Sequence, residues 1–459
     1  MTPGPISYSR FDTAWRKETG LFLEHQELPI SLSKMSHSGV SSSEQKRRAG
    51  CTIVSPNYLP YARTLAKSYL AQHPHQRFFV LVVADRLIAA PFAREPFECV
   101  LLSEIGVKNL SATAMQYDIL ELNTNVKPTF LKHLLAKFGL DEVVYLDPDI
   151  FCYAPLDPVF AALATHDAVL TPHLTTPVED DKLPSEQDML YNGTYNLGFF
   201  AVRNSSEGLA LLSWWERRCL NLGFSEGRTG LFVDQKWMNL VPGLFERIAI
   251  LRHAGCNMAY WNLNDRTLSG PHDAPLVNNS VPLCFFHFSG IVPSDPAVLS
   301  KHTNRFTLAS RPDLAVLFAT YKQAVLAHQD SSTDALPYGF DVFSDGTAIT
   351  RLARRLYAKH AAYFAGTDPF DAQGTFMAFA RRERLVAGKL APQKSTWKEF
   401  SPLDRRVRLV HALLRRALRI LGPNRYELLM RYLAFISVLR NQSVFLNDGL
   451  ERDRPAAKS

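Results

Sequence analysis

Two carboxylates separated by one residue, in Asp147-Pro148-Asp149, directly follow the apolar run Val143-Val144-Tyr145-Leu146. At the end of a strand, such a pair can reach one hard cation, for which oxygen ligands suit Mg2+ or Mn2+. An imidazole in the same shell tilts the choice toward Mn2+. A cation held there would act as a Lewis acid toward a diphosphate leaving group. The motif alone is weak, because Asp-Pro-Asp is also good turn chemistry. Three further segments carry polar groups of the same kind: Tyr195-Asn196-Leu197-Gly198-Phe199-Phe200, Val233-Asp234-Gln235-Lys236-Trp237-Met238-Asn239 and Phe286-His287-Phe288-Ser289-Gly290. Each has a plain structural reading: His287 as a core histidine, Asp234 as the cap of a helix bearing Trp237, Asn196 as a turn residue. Trp214, Trp215, Trp237, Tyr260 and Trp261 are more often core than sugar platforms.

The elements around these segments predict how they are held. Cys51 to Ser55 reads as a short buried strand. Leu59 to Gln72 reads as a helix, with Pro60 in its first turn and Ala62, Leu65, Ala66 and Tyr69 on one stripe. Phe78 to Ala84 suits a strand buried on both faces. Strand, helix and strand in this order form a βαβ unit and imply a parallel sheet. A second unit follows, with a helix from Pro128 to Gly139 and a strand from Val143 to Leu146. In open α/β sheets ligands bind beyond the carboxyl ends of the strands, where Asp147 and Asp149 fall. The expected fold is therefore α/β with a mostly parallel, Rossmann-like sheet, followed by a helical extension. Residues 1–48 read as a polar, disordered tail, 49–325 as the α/β domain and 326–459 as a helical accessory region. Helices are expected over Ala353–Phe364, Gln373–Ala387, Leu403–Leu421 and Tyr426–Leu439.

Taken in order, the four motifs resemble glycosyltransferase family eight and its bacterial relatives, over roughly residues 51–305. The resemblance implies a retaining GT-A enzyme that uses a nucleotide-diphosphate sugar, with UDP as the nucleotide. It implies that Asp147, Asp149 and His287 hold Mn2+ (or Mg2+). It places Asn196 and Gly198 beside the donor sugar, and Asp234 and Gln235 as the catalytic pair beside the anomeric carbon. The family sets an Asn-Tyr pair against the base near the first strand, which Asn57 and Tyr58 match, with Ser55 just before them. An aromatic ring stacked on uracil is physically sensible. One departure stands out. The family carries a lysine six residues after the metal histidine to grip the diphosphate, and here that position is Pro293. Lys127, Lys301 and Arg305 are the candidate replacements, together with the free N–H groups at a helix start. The implied role is surface polysaccharide or glycolipid assembly in a divergent bacterial subgroup, with a glycan or lipid-linked acceptor.

Composition bounds these expectations. The 459 residues allow two or three structural units, each on the order of 100–200 residues. The net charge of +7 suits anionic partners, but no RNA-binding signature or zinc-finger spacing is evident, so no nucleic-acid partner is expected. The six cysteines are scattered without a C-x-x-C pair, which argues against a zinc site or a disulfide scaffold. No secretory pattern opens the sequence and no long apolar stretch suits a membrane span, so a cytoplasmic location is expected. In the helix over 403–421, Leu403, Val407, Val410, Leu414, Ala417, Leu418 and Leu421 share one face. Arg405, Arg408, Arg415, Arg416 and Arg419 fall opposite, and Arg406 sits at the edge. Either an anionic bilayer at the inner face of a membrane or ordinary packing on the core fits this pattern, and the second has the slight edge. Two alternatives to the transferase reading remain: metal-dependent phosphoryl transfer, and a catalytically silent GT-A module that binds carbohydrate or aids assembly. The absence of a threonine after Asp-Pro-Asp disfavours a haloacid-dehalogenase-type phosphatase.

Overall fold

A computed structural model describes residues 46–85, 90–295, 297–386 and 404–445. The expected tail before residue 46, and Leu403 and Ala387 in the expected helices, lie outside the described residues. The first strand, β1 (Arg48–Val54), opens earlier than Cys51 because Arg48 to Gly50 pair with Glu142 to Val144. Helix α1 spans Leu59–Gln72, as its apolar stripe predicts, and β2 spans Arg77–Val82. After β3 (Glu98–Leu101) come α2 (Leu110–Gln116), α3 (Ile119–Asn125) and α4 (Lys127–Lys137). The chain continues through β4 (Glu142–Leu146), β5 (Ile150–Cys152), α5 (Asp157–Thr165), β6 (Ala168–Leu170), α6 (Glu186–Asn192), β7 (Phe199–Arg203) and α7 (Ser206–Leu222). Beyond the short pair β8 (Ser225–Glu226) and β9 (Leu231–Phe232) lie β10 (Ile248–Ile250) and β11 (Met258–Ala259). Three two-residue strands, β12 (Leu268–Ser269), β13 (Leu276–Val277) and β14 (Val281–Pro282), precede β15 (Phe285–His287).

The main sheet has seven strands in the order β10-β6-β7-β4-β1-β2-β3. All neighbours are parallel except those of β7, which runs antiparallel to β4 and β6. Side chains alternate between two cores, as a pleated strand covered on both faces requires. Cys51, Ile53, Phe79, Leu81, Val143 and Phe200 meet Phe130 and Leu131 of α4 and Leu211 and Trp215 of α7. Val54, Phe78, Val80, Val144 and Phe199 meet Leu65 and Tyr69 of α1 and Phe160 of α5. The architecture is thus mixed α/β on a mostly parallel sheet, with helices toward the C-terminus.

A second, three-stranded sheet, β11-β15-β5, grows from the carboxyl end of β4. Its register sets His287 opposite Ile150, and the amide of Phe288 donates to the carbonyl of Asp149 at 2.8 Å. This crossing carries a distant strand to the Asp-Pro-Asp turn.

The helices over Arg351–His360 and Thr375–Arg382 share an aromatic-rich core built on Phe343, Tyr357, Phe364 and Phe376. They are tied to the α/β body by buried charges. Arg355 and Glu121 pair with both side chains fully buried, and Arg355 also reaches Glu226 at 2.7 Å. Arg440 meets the same Glu226 at 2.9 Å. The stretch Arg405–Ile436 is helical on both sides of Gly422, whose backbone (φ 72°, ψ 169°) breaks the helix before Pro423. None of its residues is buried, and Leu409, Ile420 and Leu428 are each more than 60% exposed. Along the expected apolar face, Val407, Leu414 and Ala417 are half-buried while Val410, Leu418 and Leu421 are exposed, so that face is partly covered. No helix of the described residues is long and apolar enough to cross a membrane.

Candidate active site

The β4 strand ends at Leu146 and delivers Asp147, whose amide donates to the carbonyl of Gly198 at 2.7 Å. The Tyr145 hydroxyl donates to Asp147 Oδ1 at 2.7 Å, leaving Oδ2 as the oxygen nearer His287. His287 Nε2 lies 2.9 Å from Asp149 Oδ1 and 3.9 Å from Asp147 Oδ2. One ligand atom from each of the three residues falls within 4.8 Å of the other two. Two carboxylate oxygens and one imidazole nitrogen at these spacings form a donor set that fits a divalent cation.

The imidazole is fixed from behind. His287 Nδ1 donates to Asn196 Oδ1 at 3.2 Å, so Nε2 is the nitrogen that faces the carboxylates. Asn196 is held in turn by Asn257, which donates to the same oxygen at 3.1 Å and to Thr171 Oγ1 at 2.8 Å. His173 lies on its far side, 3.3 Å from Nδ2, and the Trp261 ring packs edge-on against His287. Burial works against a charged His287, but the charge and hydrogen bond of Asp149, with Asp147 behind it, outweigh that and raise its pKa. Gly198 leaves the necessary space: a Cβ there would lie 2.3 Å from His287 Cε1 and 2.8 Å from Asp147 Oδ2.

Asp234 and Gln235 lie close by and are almost entirely enclosed. Asp234 Oδ2 sits 2.6 Å from Lys127 Nζ, both side chains 2% exposed. Lys127 also donates to the carbonyl of Leu197 at 2.7 Å and lies over the Tyr145 ring. Burial pushes the Asp234 carboxyl up, and the Lys127 charge only partly offsets this. Gln235 Oε1 accepts from the amide of Leu197 at 3.0 Å, and its Nε2 donates to the carbonyl of Asn192 at 3.1 Å. The amide therefore holds a fixed orientation beside the Asn196–Gly198 turn. Val233, just before this pair, has φ 42°, an uncommon and strained value for a β-branched residue.

The residues nominated for the nucleotide separate into two groups. Tyr58 is half-exposed and stacks on Tyr61 with centroids 5.1 Å apart. Burial raises the pKa of both phenols, followed for Tyr58 by the charge of Asp149 and for Tyr61 by Tyr58 and then Asp149. Ser55 Oγ donates to Asn57 Oδ1 at 2.8 Å and orients that exposed amide. The phosphate candidates fare differently. Lys127 is buried against Asp234, out of position for a diphosphate at the surface. Arg305 is pinned by Asp180, at 2.8 Å through Nε and Nη2, and by the carbonyls of Lys182 and Pro184, which leaves only its buried Nη1 without a partner. Lys301 is exposed, and its amide donates to the carbonyl of Gly290, just past His287.

Several supporting residues escape a reading of the sequence. Tyr61 lies in the first turn of α1, three residues after Tyr58 at its N-cap, and could have been found from spacing. Tyr145, Thr171, His173 and Asn257 act through tertiary contacts and carry no local signal.

No family model matches the chain. Among curated proteins, Uncharacterized protein YfnF of Bacillus subtilis (strain 168) is 26% identical over 251 residues, 53% of this chain and 81% of the relative. Uncharacterized protein YfnD of the same organism is 26% identical over 224 residues, 48% and 68% of the two chains. Among solved structures, the galactosyltransferase LgtC in complex with donor and acceptor sugar analogs is 16% identical. The match covers 61% of this chain and 95% of that one, at a TM-score of 0.36. The glycosyltransferase GlyE of Streptococcus pneumoniae TIGR4 is 15% identical over 68% of this chain and 73% of its own, also at 0.36. At TM-scores this low, the chemistry of the site rests on its own residues.

Proposed function

We propose that this chain is a metal-dependent glycosyltransferase of the GT-A kind, moving a hexose from a UDP-linked sugar to an acceptor hydroxyl with retention. The observation that carries this reading is the convergence of Asp147, Asp149 and His287 beside the enclosed Asp234-Gln235 pair and the exposed Tyr58–Tyr61 stack. A divalent cation, Mn2+ in this reading, held by Asp147, Asp149 and His287 would neutralise the developing charge of the diphosphate. Tyr58 offers an exposed ring face to the base, and Asn57, oriented by Ser55, offers its amide. Asn196 works through His287, and Gly198 keeps the donor pocket open. With Lys127 and Arg305 otherwise engaged, Lys301 is the cation of the three assigned to the diphosphate.

The bond to the sugar breaks through an oxocarbenium-like state, positive on the ring. Gln235 is an amide and cannot act as a strong base, but the free lone pair of its Oε1 can stabilise that positive charge. Asp234, held by Lys127, adds a fixed negative potential behind it. The acceptor proton then passes to the departing phosphate oxygen on the same face, so configuration is retained. The test is a panel of UDP-sugars with Mn2+ and a range of glycan and lipid-linked acceptors. UDP release with an α-linked product from an α-linked donor supports the proposal. Phosphate release would point to phosphoryl transfer, the absence of any release to a silent module, and a β-linked product to an inverting mechanism.

The exposed helix over Arg405–Ile436 favours an acceptor presented at the inner face of a membrane. Its arginine face, with Arg408, Arg415, Arg416 and Arg419, complements anionic lipid, while exposed Val410, Leu418 and Leu421 of the apolar face offer apolar area. Vesicles containing anionic lipid should capture the protein at low salt and release part of it as salt rises. Glutamine at positions 415, 416 and 419 should weaken capture. Equal recovery with neutral and anionic vesicles would overturn this placement.

A further inference from the structure

Far along the sequence from the Asp-Pro-Asp turn, the fold gathers a second set of ligand-type side chains. His253, Cys256 and Cys284 bring one ligand atom each within 4.8 Å of the other two. Both cysteines are free thiols and are buried. His253 Nδ1 stands 3.6 Å from Cys256 Sγ. Tetrahedral zinc, with Zn–N about 2.0–2.1 Å and Zn–S about 2.3 Å, sets its nitrogen and sulfur ligands about 3.6 Å apart.

The backbone holds these groups in place. His253 and Cys256 sit on one tight turn, closed by the Cys256 amide donating to the carbonyl of His253 at 3.0 Å. The amide of Cys284 donates to the carbonyl of Gly255 at 2.8 Å, which brings the second thiol across. This approach requires glycine, because a Cβ at Gly255 would lie 2.0 Å from the carbonyl oxygen of Pro282. Arg266, 3% exposed, splints the turn by donating to the carbonyls of Ala254 at 2.9 Å and Cys256 at 3.1 Å. Its Nε has no hydrogen-bond acceptor, with Asp265 3.8 Å away, so a fixed positive charge stands beside the thiols.

We propose that His253, Cys256 and Cys284 form a soft-metal site that takes Zn2+, separate from the Asp147–Asp149–His287 cluster. Binding replaces the two thiol protons with two metal–sulfur bonds and releases both protons to solvent, while neutral His253 donates a lone pair. Two thiolates cancel the charge of the ion, and three protein ligands leave the fourth position to water or an exchangeable ligand. Cys284 immediately precedes β15 and His287 ends it, so the two sites sit at opposite ends of one strand. Zinc would staple the turn before β11 to the start of β15 and so brace the sheet that carries His287.

The test uses the full chain, stripped of metal under reducing conditions and titrated with Co2+. A near-ultraviolet thiolate-to-cobalt absorption that saturates at one equivalent, and is displaced by one equivalent of Zn2+, is expected. The band should persist in a protein carrying both Asp147→Asn and Asp149→Asn. Loss of an outer partner of a metal ligand alone costs about 10–100-fold in affinity, so His253→Ala should weaken Zn2+ binding at least about tenfold. His253 is only partly buried, which keeps that variant foldable if Cys256→Ser is not. Absence of the band in folded protein overturns the proposal. So does a band retained in Cys256→Ser, or a Cys256–Cys284 disulfide recovered from non-reduced protein in place of metal.

Discussion

Replacing Gly198 with alanine isolates the steric demand of the carboxylate–imidazole cluster. The new Cβ would lie 2.3 Å from His287 Cε1, 2.8 Å from Asp147 Oδ2 and 2.9 Å from Asn196 Oδ1, where ordinary contact begins at 3.4 Å. The imidazole would have to retreat by about 1 Å, yet it is buried, tied to Asn196 and backed by Trp261. Overpacking of this kind costs typically about 1–3 kcal/mol. Metal sites tolerate ligand displacements of only about 0.2 Å, so the effect on cation binding should exceed the effect on folding. We expect Gly198→Ala to lower Mn2+ affinity by about 10–100-fold, the range seen when a ligand's support is lost, with a modest drop in melting temperature. Calorimetric titration of Mn2+ in the presence of UDP reads the first quantity, and thermal unfolding followed by circular dichroism reads the second. An alanine variant that binds Mn2+ within twofold of the parent would refute the assignment of Gly198 as the spacer of a metal site.

Three further outcomes follow from the same geometry. Arg355→Ala removes the buried partner of Glu121, leaving only half-exposed Arg351 at 3.3 Å as its cation, and should destabilise the protein by up to about 3–5 kcal/mol in chemical denaturation. His73 accepts from the amide of Leu156, and burial, helped by Arg48 and opposed by Asp157, depresses its pKa to about 4. The unfolded chain then binds the extra proton first, so stability present above about pH 6.5 should fall as pH drops toward 4. A His73→Gln variant should show a flatter profile in that window. Tyr58→Ala should weaken UDP binding more than Tyr58→Phe, because the ring face carries the stacking. Equal losses in the two variants would assign the contact to the hydroxyl instead.

The sheet was legible because its strands are buried on both faces and its helices carry clear apolar stripes. Helix α1 matches its expected bounds, and the strand delivering Asp147 gains only Glu142 at its start. The Asp-Pro-Asp turn and His287 could be paired from motif order alone, although the register that joins β15 to β5 is a tertiary fact. Lys127 shows the limit of sequence reading. A lysine before Pro128 at a helix start looks like an anion ligand, but the fold turns it inward to meet Asp234. The cluster of His253, Cys256 and Cys284 was hidden for a similar reason: the cysteine spacing resembles no zinc motif, and only the close approach at Gly255 brings the sulfurs together. The helix after Arg405 was legible as amphipathic, but how far its apolar face is covered was not, because amphipathicity does not say what that face meets.

The decisive property of the protein is whether the Asp147–Asp149–His287 cluster couples nucleotide binding to a divalent cation. Calorimetric titration of UDP into the purified chain, with and without Mn2+, measures this. Tight binding is predicted only with Mn2+, and it should be abolished by Asp149→Ala while the circular dichroism spectrum is unchanged. An affinity for UDP that is the same with and without Mn2+, or unaltered by Asp149→Ala, would contradict it.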